Sequence, residues 1–324
     1  MHIRISSRIA WALLALACLA CASIVYAAYR RDLDIARTRV ATGSLIAQTR
    51  CGPIEYAVSG TGPPVLVVHG AGGGFDQGLD IGASLVARGL RVIAMSRFGY
   101  LRTPLPADAS ATAQADAHAC LLDALKIPRA AIVGVSAGAP SATLFALRHP
   151  ERCSALVLLS PAMFVPRANG APAVKTPSGT AFLFDTALRS DFIFWLAERV
   201  GRRAVIHSLL GTPPELVDHA SSADLDKVNT VIAHLLPVTA RREGLINDGR
   251  VVSALDRYPL EQIHTPTLAL SAADDLYKTY DGAQYTAAHV AGARFLGYPT
   301  GGHLWVGHSD EVADAVAGFV VAHP

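Results

Sequence analysis

A serine stands between two glycines where a strongly β-prone run gives way to a helix-like one. The stretch AAIVGVSAGAP, residues 130–140, places Ser136 between Gly134 and Gly138. Glycines two places before and after relieve the clashes of a sharp strand-to-helix turn, whose central hydroxyl is exposed. The N-terminus of the following helix favours negative charge that develops beside it. We therefore predict that Ser136 is a nucleophile; a glycine-serine turn without chemistry is the alternative.

A serine hydroxyl attacks efficiently only when a histidine, itself held by a carboxylate, takes its proton. The expected chain order is serine, acid, histidine. Asp274 and Asp275 follow one predicted strand, and His303 follows the next. We predict His303 as the base rather than His308, because a glycine pair precedes it directly. Asp275 is the preferred acid, with Asp274 as its solvated neighbour.

Acyl transfer also needs N–H donors aimed at the oxyanion. The stretch HGAGGG, His69–Gly74, follows an earlier predicted strand, where backbone with little side chain can approach a substrate closely. We predict that the backbone N–H groups of Ala71 and Ala137 form the oxyanion hole.

The same glycine-rich stretch suggests a second class of protein, one that binds a dinucleotide. Gly70 and Gly72 match the first two glycines of such a loop, and Ser96-Arg97 at the next strand end would bind a 2′-phosphate. However, Phe75 stands where a small residue must let helix and strand pack closely. A nucleotide-binding oxidoreductase is therefore the less favoured interpretation.

The composition suits one large folded domain with an insertion. The chain has 324 residues, of which 51% are hydrophobic and 17% charged, and its formal net charge is +2. Without a basic tract in the body, we expect no nucleic-acid partner. Cys51, Cys120 and Cys153 are widely spaced and odd in number, so we expect no disulfide framework. The pair Cys18 and Cys21 lies in an apolar run and is interpreted as small hydrophobic residues.

That apolar run, residues 9–29, is long enough to cross a bilayer. We predict an uncleaved anchor; a signal peptide cut after Ala27 is the alternative, with a periplasmic or secreted product. Basic residues flank the run on both sides, so they favour a cytoplasmic body only slightly. They are Arg4 and Arg8 before it, and Arg30, Arg31, Arg37 and Arg39 after it.

From residue 44 onward, short β-rich runs alternate with helical ones after a leading hairpin. This alternation predicts an α/β fold with a mostly parallel sheet covered by helices on both faces. We expect an anchor or signal segment at 1–30, a linker at 31–43 and one domain at 44–324. Within that domain the alternation lapses at about 161–250, which predicts a helical cap insertion.

The motifs in this order resemble the α/β-hydrolase fold superfamily over almost all of the chain after the apolar run. They are VLVVHGAGGGFDQG, SRFGY, VGVSAGAPSA, SAADD and GGHLWVGHSDEV. The resemblance implies Ser136 as nucleophile, Asp275 as acid and His303 as base, with a cap after the sixth strand. Dehalogenases and epoxide hydrolases of this superfamily carry an aspartate in place of the serine, and are excluded.

Two positions depart from the superfamily's pattern. Ala272 stands where a glycine usually precedes the acid loop. Leu304 stands where carbon–carbon bond hydrolases often have a tryptophan, and Trp305 follows one place later.

Two groups of side chains have roles that the sequence leaves open. Arg97 and Tyr100 either touch the substrate or only shape their loop. Aromatic residues of the cap either line an acyl pocket or form the cap's own core. These are Phe164, Phe182, Phe184, Phe192, Phe194 and Trp195.

The predicted function is therefore a membrane-anchored serine hydrolase of the carboxylesterase class, acting on a small acyl substrate through an acyl-enzyme. It needs no metal and no organic cofactor. The alternative is a cofactor-free carbon–carbon bond hydrolase, and a noncatalytic binding protein on the same fold is less favoured.

Overall fold

The computed structural model describes residues 7–166 and 187–324. An eight-stranded sheet forms its centre, in the order β1-β2-β4-β3-β5-β6-β7-β8. The strands are β1 (Leu45–Thr49), β2 (Gly52–Ser59), β3 (Pro64–Val68), β4 (Arg91–Met95), β5 (Ala130–Val135), β6 (Cys153–Leu159), β7 (Thr267–Ala272) and β8 (Arg294–Tyr298). The leading hairpin β1–β2 is antiparallel, as is the β2–β4 pair, and the other neighbours are parallel. The predicted α/β fold class is confirmed.

Helices lie on both faces of the sheet and in the long connection between β6 and β7. They are α1 (Ser7–Thr42), α2 (Phe75–Val86), α3 (Ala111–Ala124), α4 (Ala139–Arg148), α5 (Asp191–Val200), α6 (Arg202–Leu209), α7 (Pro214–Asp218), α8 (Ser222–His234), α9 (Arg242–Ser253), α10 (Thr279–His289) and α11 (Ser309–Val321). Strands β5 and β6 are buried along their whole length, in agreement with their mostly apolar sequences.

The segment expected to be a linker, residues 31–43, is helical almost to its end. Helix α1 continues from the apolar run to Thr42, and Leu33 and Ala36 are buried against the rest of the protein. Few residues in this stretch break helices, and Leu33, Ala36 and Val40 recur on one side of the helix. The first half of α1 is long and apolar enough to cross a membrane.

The body has no multi-bridge disulfide framework among the described residues, but it does contain one disulfide, which was not predicted. Cys51, in the turn between β1 and β2, is bonded to Cys120 on α3, and their Cα atoms are 6.1 Å apart. Sixty-nine positions separate the two cysteines in the chain, so spacing gives no sign of the pairing. Cys153 remains free and buried.

The connection between β6 and β7 contributes helices α5–α9, and we call residues 187–253 the insertion. Its Arg241 is fully buried and donates to both oxygens of Asp76 at the start of α2, and to the carbonyl of Gly73. Arg39 of α1 also donates to Asp76, at 3.3 Å, and to the carbonyl of Leu236 at 2.6 Å. One carboxylate therefore joins the N-terminal helix, the central domain and the insertion.

Candidate active site

The turn after β5 holds Ser136 in a conformation that non-glycine residues rarely adopt, with a φ of 48°. The flanking glycines make this possible. A Cβ on Gly134 would lie 2.6 Å from the Ala142 Cβ, and one on Gly138 would lie 2.5 Å from the His69 carbonyl oxygen. Close packing on both sides therefore requires glycine at these two positions, and the serine is presented at the N-terminus of α4.

The loops after β7 and β8 bring Asp275 and His303 together. The His303 Nδ1 lies 2.8 Å from an Asp275 oxygen, and the aspartate is fully buried. That oxygen also accepts from the Thr279 hydroxyl, and the second oxygen accepts from the Tyr277 N–H at 2.8 Å. Because a carboxylate only accepts, Nδ1 carries the imidazole proton and Nε2 keeps the free lone pair. This is the tautomer that a general base needs.

Asp274, expected to be the solvated neighbour, is also bound by the protein. It is half-buried, and its two oxygens accept from the backbone N–H groups of Gly302, at 2.8 Å, and Gly301, at 3.3 Å. Its physical task is to fix the loop that carries His303. The competing His308 has other partners: its Nδ1 meets Glu311 at 3.1 Å at the start of α11, and its ring lies against that of Tyr298.

The end of β6 joins the serine and histidine turns. The Ser160 hydroxyl donates to the His303 carbonyl, and the Ala162 N–H donates to the Ser136 carbonyl, each at 3.1 Å. Two residues of one loop thus hold both turns at the carboxyl edge of the sheet, where functional groups of α/β proteins gather. No local pattern in the sequence indicates this connection.

The glycine-rich turn after β3 packs directly on the serine. A Cβ on Gly70 would lie 3.2 Å from the Ser136 Cβ. The Gly70 carbonyl accepts from the Arg97 guanidinium at 3.1 Å and lies 2.7 Å from the His69 Nδ1. In a trans peptide the N–H points opposite to the carbonyl. The Ala71 N–H, which shares this peptide with the Gly70 carbonyl, therefore points away from that buried cluster.

His69 is a neutral, fully buried support for this turn. Burial, with a further effect of the Arg97 charge, holds the pKa of His69 well below its usual range. Its Nε2 accepts from the Arg97 backbone N–H at 3.0 Å, so Nδ1 carries the proton and donates to Gly70. The sequence contains His69 in its glycine-rich motif but gives no sign of this role.

Arg97 and Tyr100 shape the loop that follows β4 and join it to α9 of the insertion. The Arg97 guanidinium binds both oxygens of Asp248 on α9, at 2.6 and 2.7 Å. The Tyr100 hydroxyl donates to Asp248 at 2.5 Å and accepts from the Gly72 N–H at 3.1 Å. This arrangement contradicts the dinucleotide alternative, which needs an exposed arginine at that position, since Arg97 is only 6% exposed.

The insertion contacts the acid and histidine loops through a residue that the sequence analysis missed. The Gly211 carbonyl accepts from the backbone N–H groups of Leu276, at 3.0 Å, and His303, at 3.3 Å. Gly211 has a φ of 56°, and an added Cβ would lie 2.3 Å from the Tyr277 ring. That ring packs edge-on against the His303 imidazole. The insertion therefore covers the buried side of the Asp275–His303 pair.

A second contact joins α8 of the insertion to the loop after His303. The Lys227 Nζ donates to the Leu304 carbonyl and the Ser309 hydroxyl, both at 3.2 Å, and lies 4.5 Å from the centre of the Trp305 ring. Burial lowers the pKa of Lys227 to about 8, although the charge of Asp224 opposes this change.

The aromatic residues of the cap differ in their surroundings. Phe194 and Trp195 are buried in a core that the insertion shares with α1, whereas Phe192 is 36% exposed and Phe164 lies against the ring of Tyr285. The remaining two, Phe182 and Phe184, lie outside the described residues.

A small polar cavity of about 10 Å³ lies beside Ala137. Arg97 Nε and Gln114 Nε2 both belong to its lining residues, and neither atom has a hydrogen-bond partner among the described residues. A wider cleft of about 440 Å³ adjoins this cavity between α3 and α9 and is lined by none of the serine, aspartate and histidine above. Hydrogen-bond geometry, rather than cavity volume, therefore marks the site.

The serine turn, the buried aspartate–histidine pair and the sheet order define an α/β-hydrolase. The model of the α/β-hydrolase fold family matches residues 63–306, so the chain belongs to this family. This match confirms the resemblance to α/β-hydrolases that the sequence motifs indicated.

Relatives cover the chain to different extents. The uncharacterized hydrolase YcgS of Bacillus subtilis is 27% identical and covers 83% of this chain and 95% of its own. A 2-hydroxymuconate semialdehyde hydrolase of a Pseudomonas species is 38% identical, but over 32% of this chain and 38% of its own. Among solved structures, an α/β-hydrolase fold protein from Nakamurella multipartita matches with a TM-score of 0.69 and 27% identity, covering 87% of this chain and all of that one.

Proposed function

We propose that this protein is a serine hydrolase that cleaves a carboxylic ester or a related acyl compound through an acyl-enzyme. The buried contact between Asp275 and His303 carries the proposal, because it leaves the His303 Nε2 as a proton acceptor. Ser136 attacks the carbonyl carbon while His303 takes the hydroxyl proton. His303 then gives that proton to the leaving alkoxide. Water next attacks the acyl carbon while His303 takes its proton, and the Ser136 oxygen leaves and receives that proton as the acid is released.

The oxyanion of the tetrahedral intermediate would be held by two backbone N–H groups. The Ala71 N–H is supported in this role because the Gly70 carbonyl is fixed on the opposite side of the same peptide. Among the described residues, no acceptor takes the Ala71 N–H, and Ala71 is exposed. Ala137 follows the nucleophile directly at the start of a helix, where N–H groups are free. We propose that the insertion acts as a cap, since its Leu235 lies close to Gly72 of the same turn.

A cofactor-free carbon–carbon bond hydrolase is the second candidate. The partial relative that acts on 2-hydroxymuconate semialdehyde favours it, because that name describes no ester. Leu304, in place of the tryptophan often found in such hydrolases, supports the ester instead.

We also propose that α1 anchors the protein in a membrane and that the body lies on an oxidising side. Disulfides persist in oxidising compartments, and the Cys51–Cys120 bond belongs to the body. We take the disulfide as stronger evidence for the side of the membrane than the slight excess of arginines after the apolar run, which favours a cytoplasmic body. Detergent-dependent extraction and a mature N-terminus before residue 27 are the expected results; a soluble product that starts at Ala28 would show a cleaved signal instead.

The test of the hydrolase uses the full chain in detergent with p-nitrophenyl esters of graded acyl length. Ser136→Ala and His303→Ala should each lower kcat by several orders of magnitude, and the double variant should lose little more, because the residues act as one unit. Ser253→Ala, at an exposed serine near the end of α9, is the matched control and should keep full activity. Additive losses would contradict the proposal. Ser136-dependent cleavage of 2-hydroxymuconate semialdehyde without ester cleavage would favour the second candidate.

A further inference from the structure

Helix α5 of the insertion turns an apolar face away from the protein. Phe192, Ile193, Leu196 and Val200 are 36%, 41%, 39% and 81% exposed. With 100° between successive residues, these four positions fall within one 100° sector of the helix. Phe194, on the opposite side, is fully buried. An amphipathic helix normally turns its polar side outward, so this face needs a partner.

The same helix lies against α1 where the apolar run of α1 ends. The Tyr29 ring meets Phe192 edge-on at 5.1 Å and Trp195 at 5.7 Å. The Trp195 indole N–H donates to Asp32 at 3.0 Å. Tyr29 is the last residue of the run 9–29, so α5 is fixed at one end of the candidate span.

The length of that run places its end at a membrane surface. Twenty-one residues at 1.5 Å each cover about 31 Å, close to the roughly 30 Å of a bilayer's hydrocarbon core. The most apolar window of α1 has a mean hydropathy of 2.3, and none of it is buried in the protein. Tyr29 and Trp195 then lie at the depth where aromatic residues collect in membrane proteins, and Arg30 and Arg31 follow in the headgroup region.

We propose that the exposed face of α5 lies on the phospholipid surface of the membrane that α1 crosses. The inference rests on the proposed anchor and extends it from one helix to the insertion. A bilayer fits as the occupant because the α5 face continues the apolar surface of α1 through the Tyr29 contacts. The insertion also carries Gly211 and Asp248, which contact loops of the candidate active site. The part of the protein that covers this site would therefore lie next to acyl compounds dissolved in the bilayer.

The test measures the depth of a nitroxide label on the full chain in phosphatidylethanolamine–phosphatidylglycerol vesicles. Cys18→Ala and Cys21→Ala remove the exposed thiols, and burial raises the pKa of Cys153 to about 12, which keeps it unreactive. The label is placed at Val200→Cys. A label at Leu225→Cys, on an exposed apolar residue of α8, is the matched control.

For each label we measure the ratio of its collision rate with oxygen to its collision rate with a polar nickel complex. We expect this ratio to be at least about threefold higher at position 200 than at position 225, because oxygen enters hydrocarbon and the polar complex does not. A third label, at Leu16→Cys, reports whether α1 itself is inserted. A lipid signal at 16 with a water-like signal at 200 overturns the proposal and leaves the anchor standing. Water-like signals at both overturn the anchor as well. Dipolar broadening that disappears on dilution with unlabelled protein shows a second copy on the face, and also overturns the proposal.

Discussion

Asp274 and Asp275 are adjacent carboxylates that the structure assigns to different tasks, and a pair of amide substitutions separates them. In the native protein three donors bind the two oxygens of Asp275. Asp275→Asn keeps the size of the side chain but leaves only one oxygen to accept from them, and its amide can donate to His303 Nδ1. The imidazole then keeps its proton on Nε2, where it cannot accept one from Ser136.

We expect Asp275→Asn to lower kcat by about 10³–10⁴, which is roughly 4–5.5 kcal/mol of transition-state stabilisation. Asp274→Asn should act differently, because it weakens only the hydrogen bonds to the backbone of Gly301 and Gly302. Bonds to a charged group contribute about 1.5–3 kcal/mol, and Asp274 is half-buried, so we expect about tenfold in kcat and a lower Tm.

The assay measures kcat and KM on a short-chain ester, with Tm measured on the same preparations. Asp310→Asn is the matched control, because this carboxylate is 96% exposed and lies on α11 away from the site. Its kcat should equal that of the parent protein. The reasoning is refuted if Asp274→Asn costs more activity than Asp275→Asn, or if Asp275→Asn stays within tenfold of the parent.

Three further outcomes are expected. Gly211→Ala should lower both Tm and kcat, because the φ of 56° and the Tyr277 ring leave no room for a Cβ at this position. Gly249→Ala is the control and should lower neither, because the space around Gly249 is open. Equal effects of the two substitutions would contradict the proposed contact. Replacing Cys51 and Cys120 with alanine should lower the free energy of unfolding by about 2–4 kcal/mol in urea titrations, with kcat unchanged; equal stability with and without the bond would refute this. Finally, Lys227 has a folded-state pKa near 8 and an unfolded value near 10.5. Since the unfolded chain binds more protons between these values, stability should rise with pH from about 8 to about 10.5, and a slope that persists in Lys227→Met would disprove the assignment.

The sequence by itself determined the fold class and the positions of the chemical groups along it. The hairpin, the strand–helix alternation and the serine turn of residues 134–138 are local patterns, since each depends on side chains within a few positions of one another. Such patterns fix secondary structure and the order of elements. They therefore predicted the parallel sheet, and they placed His303 after its last strand.

Only the tertiary structure decided which groups meet. Asp274 and Asp275 have the same chemistry and neighbouring positions, and contact with His303, 28 residues later, distinguishes them. The bond between Cys51 and Cys120 joins residues 69 positions apart, in a hairpin turn and a helix packed beside it. Contacts over such separations depend on how whole elements pack, and no local periodicity records them.

For the same reason, the roles of Arg97 and Gly211 could not be predicted from the sequence. Arg97 finds its partner, Asp248, 151 residues away on the insertion, and Gly211 contacts His303 from the same insertion. The insertion has no strand–helix alternation to fix its position from sequence. Its docking depends on buried ion pairs, such as Arg97–Asp248 and Arg241–Asp76, and on apolar contacts between elements that are far apart in the chain.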